Sequence, residues 1–283
     1  MVYFIGFDIG GSSVKAVLVK NRKIIKSHYE KLPANFNELV ECVVALKKRM
    51  ADSRKIKGIG ISVAGVLDKK RKKMLRSFNI PYLNERPLRS VFVKALNSDV
   101  VVERDLPCFV IAEQRAGLAK KYRNIFYLTL GTGIGGAFTI DGKIIKGSHG
   151  AAGEAGHSIV DFKNRIRWED IAANKYIRKK LKVSFTEAKR RALKGDKKTL
   201  QIFKELGSNL GVGIANIINI FNPEVIMLSG GLASARKFFL PEVKAEIKKF
   251  VISREARKTK ILWSKLGRFG GALGAALLFE NKK

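Results

Sequence analysis

The run Leu130-Gly131-Thr132-Gly133-Ile134-Gly135-Gly136-Ala137, followed by Gly153-Glu154-Ala155-Gly156-His157, governs how the rest of this 283-residue chain is read. A glycine-rich turn between two apolar runs lets backbone N–H groups approach a phosphate. No Cβ blocks the way, and glycine accepts positive φ. A carboxylate and an imidazole at i and i+3 then sit in a loop too glycine-rich to be plain core. A phosphate cradle beside a polar pocket points to phosphoryl transfer to a small polar molecule. Tight turns use the same glycines, so the reading depends on a second such run at the N-terminus and on a suitable base between the two.

Composition sets the outer bounds. The length allows a large core in one or two domains. A hydrophobic content of 46% with 28% charged residues is that of a globular chain. No stretch is apolar for long enough to cross a bilayer as a helix. Met1-Val2-Tyr3-Phe4-Ile5-Gly6-Phe7-Asp8 has no basic lead and carries an acid inside its apolar run, which argues against a signal peptide. Cys42 and Cys108 are too few for a disulfide framework or a zinc site. A reduced cytoplasmic setting is the expectation. The net charge of +32 is spread along the chain, as in Lys69-Lys70-Arg71-Lys72-Lys73 and Lys189-Arg190-Arg191. A solvated lysine-rich surface is favoured over a nucleic-acid site, although a generic polyanion stays open as a partner.

The element order is also legible. Residues 2–8 and 14–19 read as strands around a Gly10-Gly11 turn, and Asn21-Arg22 as a hairpin leading into Ile24-Ile25. A helix is predicted over 37–50 with Asn35 or Asn37 as its cap, then a strand over 56–63, a short helix over 87–95 and a strand over 100–103. The theme recurs with strands at 124–130 and 136–140 around a glycine turn. Asp141-Gly142 is a type I′ hairpin signal. Helices are predicted at 170–181 and 199–221, a buried strand at 225–228, a helix at 238–250, a strand at 260–263 and a final helix at 270–279. Two halves that each begin strand, glycine turn, strand, hairpin suggest two similar lobes with a cleft between them. The join is expected just after Pro107.

Candidate site residues follow from this frame. Asp8 precedes Gly10-Gly11-Ser12-Ser13 at a strand-to-strand turn whose amides and hydroxyls suit a phosphate. Asp8 can hold Mg²⁺ directly or through water; a simple β-turn with an exposed acid is equally open. Gly131-Thr132-Gly133 is the partner turn, or a plain hairpin. Asp105 ends a strand before Pro107 and can act as general base, or serve as a helix cap or as a turn acid before proline. Glu154 and His157 can bind sugar hydroxyls, or only tie down their own loop. Glu169 can join them, or can be an acid favoured at a helix start. Gly230-Gly231 follows a strand and can pack against adenine or ribose, or be an ordinary tight turn.

Taken together and in this order, these segments resemble the ROK family of sugar kinases and repressors, within the actin-like ATPase superfamily. The likeness spans nearly the whole chain. Asp8-Ile9-Gly10-Gly11-Ser12 resembles the first phosphate motif, Ile59 to Asp68 the sugar-loop segment, and Val101-Val102-Glu103-Arg104-Asp105 the strand that ends in the catalytic aspartate. Leu130 to Gly136 is similar to the second phosphate motif, and Asn222 to Gly231 to the adenosine motif. His149 to His157 is the most specific match.

The resemblance implies an α/β, two-lobed actin-like ATPase (ribonuclease H-like) fold with a mixed sheet flanked by helices in each lobe. A small lobe would span 1–106, completed by the C-terminal helix 269–283, and a large lobe 107–268. It implies transfer of the ATP γ-phosphate to a hexose hydroxyl, with glucose the default acceptor, Asp105 as base and Mg²⁺ near Asp8. Asp8, Gly10, Gly11, Ser12, Ser13, Lys15, Gly131, Thr132, Gly133, Gly230 and Gly231 would hold the nucleotide. Gly65, Arg104, Asp105, Glu154, His157 and Glu169 would line the sugar. A homodimer is also implied, with no membrane and no specific nucleic acid as partner.

Three departures stand out. Arg104 occupies the place of the family's asparagine, and it is always charged and cannot accept a hydrogen bond. A noncatalytic sugar- or nucleotide-binding relative is therefore the alternative. No cysteine lies between His157 and Glu169, so the zinc that many members hold there is not expected, and packing around Trp168 would take its place. Ala64 replaces a common proline. With a first strand starting at residue 2, the winged helix of repressor members is not expected ahead of it.

Overall fold

The computed structural model describes residues 2–281 as two compact units. Among the described residues the first comprises 2–121, 142–152 and 264–281, and the second 122–141 and 153–263. Met1, Lys282 and Lys283 lie outside the described residues, so the end of the expected 269–283 helix does too.

In the first unit, β1 (Tyr3–Gly10), β2 (Ser13–Lys20) and β3 (Lys23–Lys31) form an antiparallel meander. Asn21 and Arg22 turn the second hairpin with φ of 49° and 62°, the left-handed pair that matches strand twist. Helix α1 (Phe36–Ala51) opens on Asn35, whose side-chain oxygen accepts the Glu38 N–H at 3.0 Å. It leads to β4 (Ile56–Val63), which pairs in parallel with β1. A two-stranded ribbon, β5 (Val66–Leu67) with β6 (Met74–Arg76), then precedes α2 (Leu88–Leu96) and β7 (Val100–Arg104). The sheet order is β3-β2-β1-β4-β7, mixed as the sequence predicts.

Helix α3 (Asp105–Arg115) follows β7 directly, where the sequence suggests a turn before proline. Pro107 is tolerated because it falls in the first helical turn, where its missing N–H has no intrahelical partner. This helix remains with the first unit because it packs against the C-terminal helix. A boundary at Pro107 therefore differs from the one that packing draws, at Lys121–Tyr122.

The second unit repeats the plan. Strands β8 (Ile125–Leu130) and β9 (Ile134–Ile140) pair antiparallel. The chain passes through β10 (Lys143–Ile144), whose residues fall in the first unit, and then forms a small ribbon from β11 (Ile159–Asp161) and β12 (Ile166–Arg167). Helices α4 (Trp168–Ala172), α5 (Asn174–Leu181), α6 (Phe185–Leu193) and α7 (Lys197–Phe221) follow, then β13 (Val225–Ser229), α8 (Leu240–Phe250) and β14 (Lys260–Trp263). β8, β13 and β14 are mutually parallel neighbours, so β9-β8-β13-β14 matches the pairing pattern of β2-β1-β4-β7. The duplication read from the two glycine turns is thus a duplication of sheet topology.

Two differences have local causes. The single predicted helix over 170–181 is broken at Ala173, which is extended with φ −123° and ψ 177°. The Asn174 N–H is drawn to the Gly131 carbonyl at 3.0 Å, and that bond takes the place of helical continuity. Helix α6 escapes the sequence reading because its five charged or polar positions leave a short apolar pattern.

Helix α9 (Gly270–Leu277) closes the first unit and is buried along its whole length. It approaches the sheet through glycines. A Cβ on Gly6 or Gly60 would collide with the Ala272 or Ala275 carbonyl oxygen, and one on Gly274 with the Cys108 carbonyl of α3. The absent side chains let backbone meet backbone. We expect Gly274→Ala to lower unfolding free energy by at least about 2 kcal/mol through overpacking. Gly131→Ala, with open space at that position, should stay within about 0.5 kcal/mol. Urea denaturation of the two variants tests this; equal stabilities would refute the account.

Candidate functional site

The first unit brings together Asp8, the Gly10–Ser13 turn, Lys15, Arg104 and Asp105. Asp8 sits near the end of β1, paired with Lys15 on β2 and Ser62 on β4. Its side chain is buried, and both oxygens are engaged. The Lys15 ammonium donates to Oδ2 at 3.0 Å and the Ser62 hydroxyl to Oδ1 at 2.8 Å. Gly271, in the first turn of α9, lies so close that a Cβ there would come within 2.9 Å of the carboxylate. Ser62 was not anticipated; a hydroxyl inside an otherwise apolar strand was the available signal.

Gly10 pairs with Ser13 across the tight turn. Gly11 lies against Asn79, where a Cβ would come within 2.9 Å. Ser12 is exposed and Ser13 buried. Gly65 has φ +144°, and a Cβ on it would meet the Arg76 carbonyl and the Met74 sulfur. It is a backbone necessity of its turn.

Asp105 opens α3 at the end of β7. Burial and then the negative charge of Asp8 push its carboxyl up to about 6, against the Leu106 N–H and the Arg104 charge, which pull it down. The Leu106 N–H donates to its Oδ1 at 2.9 Å. Two carboxylates in mutual range, one raised toward neutrality, is the arrangement of a proton acceptor beside an ionised partner.

Beneath Asp105 lies a cluster that the sequence reading missed. Glu103 is 2% exposed. Its Oε1 meets Arg71 Nε at 2.7 Å and accepts the Arg104 N–H at 2.9 Å; its Oε2 meets Lys146 Nζ at 2.9 Å. Arg71 and Arg104 are 6% and 5% exposed. Both guanidiniums donate to the Gly150 carbonyl, at 3.0 and 3.3 Å. Arg104 thus points toward the His149–Gly150 loop and not into the apolar face of the sheet. An acid closing the apolar run Val100–Val102 was the overlooked signal.

The second unit gathers Gly131, Thr132, Gly133, Glu154, His157, Glu169, Gly230 and Gly231. The two glycine turns touch. Gly230, at φ +92°, lies against the Leu130 backbone, where a Cβ would collide with its carbonyl oxygen. Asn174 bridges them, its N–H on Gly131 and its side-chain amide beside Gly231. Glu169 overhangs the turn: a Cβ on Gly133 would strike its carboxylate, and the Ile134 N–H donates to Oε2 at 3.3 Å. Lys175 donates to Glu169 Oε1 at 2.8 Å. Burial pushes the Glu169 carboxyl up, but the Lys175 and Ile134 donors, with the charges of Lys175 and His157, bring it below its ordinary value. Arg167 approaches His157 Nδ1 at 3.5 Å. Glu154 and His157 are exposed at the short helical turn Ala155–His157. Trp168 is buried behind them, its indole N–H donating to the Asn209 carbonyl at 2.9 Å and its ring lodged where Gly213 offers no side chain. Asn174 and Lys175 carried no sequence signal.

Among the described residues, no cluster of three or more His, Cys, Asp or Glu can hold a metal. A cation at Asp8 is a different proposition, because phosphate oxygens and water supply most ligands of Mg²⁺. Burial and then the Asp8 charge raise Asp105; a divalent cation relieves the second of these, so the two carboxylates fit one held partly through water.

The model of the ROK family matches residues 4–282. The chain belongs to the ROK family. Its relatives fall on both sides of that family. It is 30% identical to a xylose repressor of Bacillus spizizenii over 99% of this chain and 77% of the repressor. It is 24% identical to a glucokinase of Streptomyces coelicolor over 96% of each. A crystal structure of a ROK glucokinase from Streptomyces griseus, in complex with glucose and AMPPNP, superposes with a TM-score of 0.81 at 25% identity, covering 98% of both chains. A ROK hexokinase of Thermus thermophilus shares the fold at a TM-score of 0.88 and 24% identity, covering 98% and 97%. The actin-like ATPase fold follows. No helix among the described residues is long and apolar enough to cross a membrane.

The raised Asp105 carboxyl has a consequence for stability. In the unfolded chain it ionises near its ordinary value of about 3.9. In the folded chain it holds its proton up to about 6. Folding is therefore penalised at higher pH, and the penalty fades as pH falls from about 6 toward about 4. Asp105→Asn should melt above the native protein at pH 8 and converge with it near pH 4. A variant that melts lower at pH 8 would count against this environment for Asp105.

Proposed function

We propose that the protein is an ATP-dependent sugar kinase that transfers the γ-phosphate to a hexose hydroxyl, with Asp105 as general base. One observation carries this reading. Asp105 opens α3 at the end of β7 with its carboxyl raised to about 6 by burial and then by the charge of Asp8, in a chain whose relatives include glucokinases. A base poised one unit below neutral is ionised at working pH and still basic enough to take a hydroxyl proton.

In this reading the acceptor hydroxyl lies against Asp105. Its oxygen bonds to the γ-phosphorus as its proton passes to the Asp105 carboxylate, and the bond to the β,γ-bridging oxygen breaks to release ADP. Asp8 would hold Mg²⁺, directly or through water, and Lys15 fixes the Asp8 carboxylate. The cation, when bound, neutralises charge on the transferring phosphates. The Gly10–Ser13 and Gly131–Gly133 turns offer amides to phosphate oxygens, and Gly230-Gly231 packs on the nucleoside. Gly65, Arg104, Glu154, His157 and Glu169 orient the sugar. The Lys175 ion pair keeps Glu169 ionised and able to accept from hydroxyls. A homodimer belongs to the same reading, and light scattering on the purified protein tests it.

The alternative, a sugar-binding relative without turnover, draws on the repressor kinship and on the charged Arg104. An ADP-release assay over a broad sugar panel separates the two. We expect sugar-dependent turnover, with kcat/KM falling about tenfold per pH unit below about 6. Asp105→Asn should cost roughly 10²- to 10⁴-fold in kcat while sugar binding, followed by calorimetry, persists. Sugar and nucleotide binding with no product would select the alternative.

A further inference from the structure

The cluster beside Asp105 brings two cations, Arg71 and Lys146, and the Arg104 backbone N–H to one buried carboxylate, that of Glu103, and the two arginine guanidiniums share a single carbonyl, that of Gly150. Asp68 also faces Arg71, and Asp8 and Asp105 are the other acids nearby, with Asp8 paired to Lys15. Two guanidiniums converging on one carbonyl repel each other, and burial removes the water that would screen them. Accordingly, burial and then the charge of Arg104 depress the Arg71 guanidinium, although Glu103 counters them.

The two arginines come from separate segments aimed at the same place. Arg104 ends β7. Arg71 stands in a turn at φ 55°, a costly conformation for a non-glycine residue, held by Asp68, which accepts the Lys72 and Lys73 N–H groups at 2.6 and 2.9 Å. Gly150 has φ +80°, and a Cβ on it would come within 2.9 Å of Arg71 Nη1. The loop approaches the guanidinium as closely as a backbone can.

A guanidinium has only donors, in a rigid fork that matches a carboxylate or phosphate. A neutral sugar presents hydroxyls that both give and accept, and a side chain with both functions reads them better. Arg104 directly precedes the base and lies close enough for its charge to act on Asp105. An anionic group and a reactive hydroxyl on one small acceptor would therefore meet Arg104 and Asp105 respectively.

We propose that Arg104 and Arg71 select an acceptor that carries an anionic group, a sugar acid or sugar phosphate with a free primary hydroxyl, over the neutral hexose. This rests on the kinase reading above. The chemistry is the same transfer from ATP, with the acceptor's hydroxyl proton going to Asp105 and ADP leaving; the anion is bound and not consumed.

The test compares glucose, gluconate and glucose 1-phosphate as acceptors at constant ionic strength, for the native protein, Arg104→Asn and Arg104→Lys. We expect kcat/KM for one of the two anions to exceed that for glucose at least tenfold. The anion preferred assigns the group as carboxylate or phosphate. In Arg104→Asn the anion-to-glucose ratio should fall at least 100-fold, with Arg104→Lys between, because lysine keeps the charge but loses the fork. Calorimetric titration of each anion gives the same ranking without turnover, and melting temperatures report whether each variant is folded. Native turnover confined to glucose, or a ratio unmoved in a folded Arg104→Asn, overturns the anionic acceptor and leaves the kinase standing. Absence of turnover and binding with all three overturns both.

Discussion

The first unit depends on how closely helix α9 lies on its sheet. Gly6 on β1 and Gly60 on β4 leave the strand surface bare, and Gly274 does the same on the helix face toward α3. Backbone meets backbone on both sides, so the helix cannot shift without opening a void that costs dispersion contacts. The consequences reach the polar residues. The first turn of α9 presses Gly271 against the Asp8 carboxylate, and α3, whose first residue is Asp105, is held against the other side of the same helix. The spacing between the two acids is therefore fixed by apolar packing. That fixed spacing keeps the Asp8 charge acting on Asp105, which adds to the burial that chiefly raises the Asp105 carboxyl.

Glu103 has a comparable role among the charged groups. A carboxylate this deeply buried is costly unless several donors surround it. It receives the backbone N–H of Arg104, the guanidinium of Arg71 and the ammonium of Lys146. Through Arg71 and Arg104 it also fixes the Gly150 carbonyl, and with it the start of the glycine-rich loop. The same ions that place the loop also set the charge of the surface beneath Asp105. Loop position and electrostatic character are one property here.

Much of this was legible in the sequence. The glycine turns at Gly10-Gly11 and Gly131–Gly133 marked both hairpins, because tight turns with close backbone approach need those residues. Apolar runs at 56–63 and 225–228 marked the central parallel strands, which are buried on both faces. The β-β-β-α-β-α-β order gave the mixed sheet. Where the reading fell short, tertiary bonds decided. Helix α3 begins at Asp105 because β7 feeds straight into it, and Pro107 in its first turn looked like a break. The helix over 170–181 divides because the Asn174 amide is taken by Gly131. The domain boundary moved because α3 and α9 interlock, a contact between residues far apart in the chain that no local pattern reveals. Among site residues, Asp8 and Asp105 were found by their positions at strand ends. Ser62, Glu103, Arg71 and Lys175 were missed because each acts through a partner brought close only by folding.

Arg104 shows why a single site residue cannot be exchanged in isolation. Its guanidinium shares the Gly150 carbonyl with Arg71, and its backbone shares Glu103 with Arg71 and Lys146. Replacing it by asparagine alone would leave Arg71 as the one guanidinium on that carbonyl and Glu103 still buried with two cations. The loop keeps an anchor while the surface beneath Asp105 loses a charge. Replacing Glu103 instead would leave two buried guanidiniums with only Asp68 still facing Arg71, a more costly state than the loss of one guanidinium. Asymmetry of this kind makes position 104 adjustable and position 103 fixed. A chain of this fold can therefore change the charge that it presents to an acceptor while the loop stays anchored, because that anchorage is divided between two arginines, and the base is held by the packing of α3 on α9.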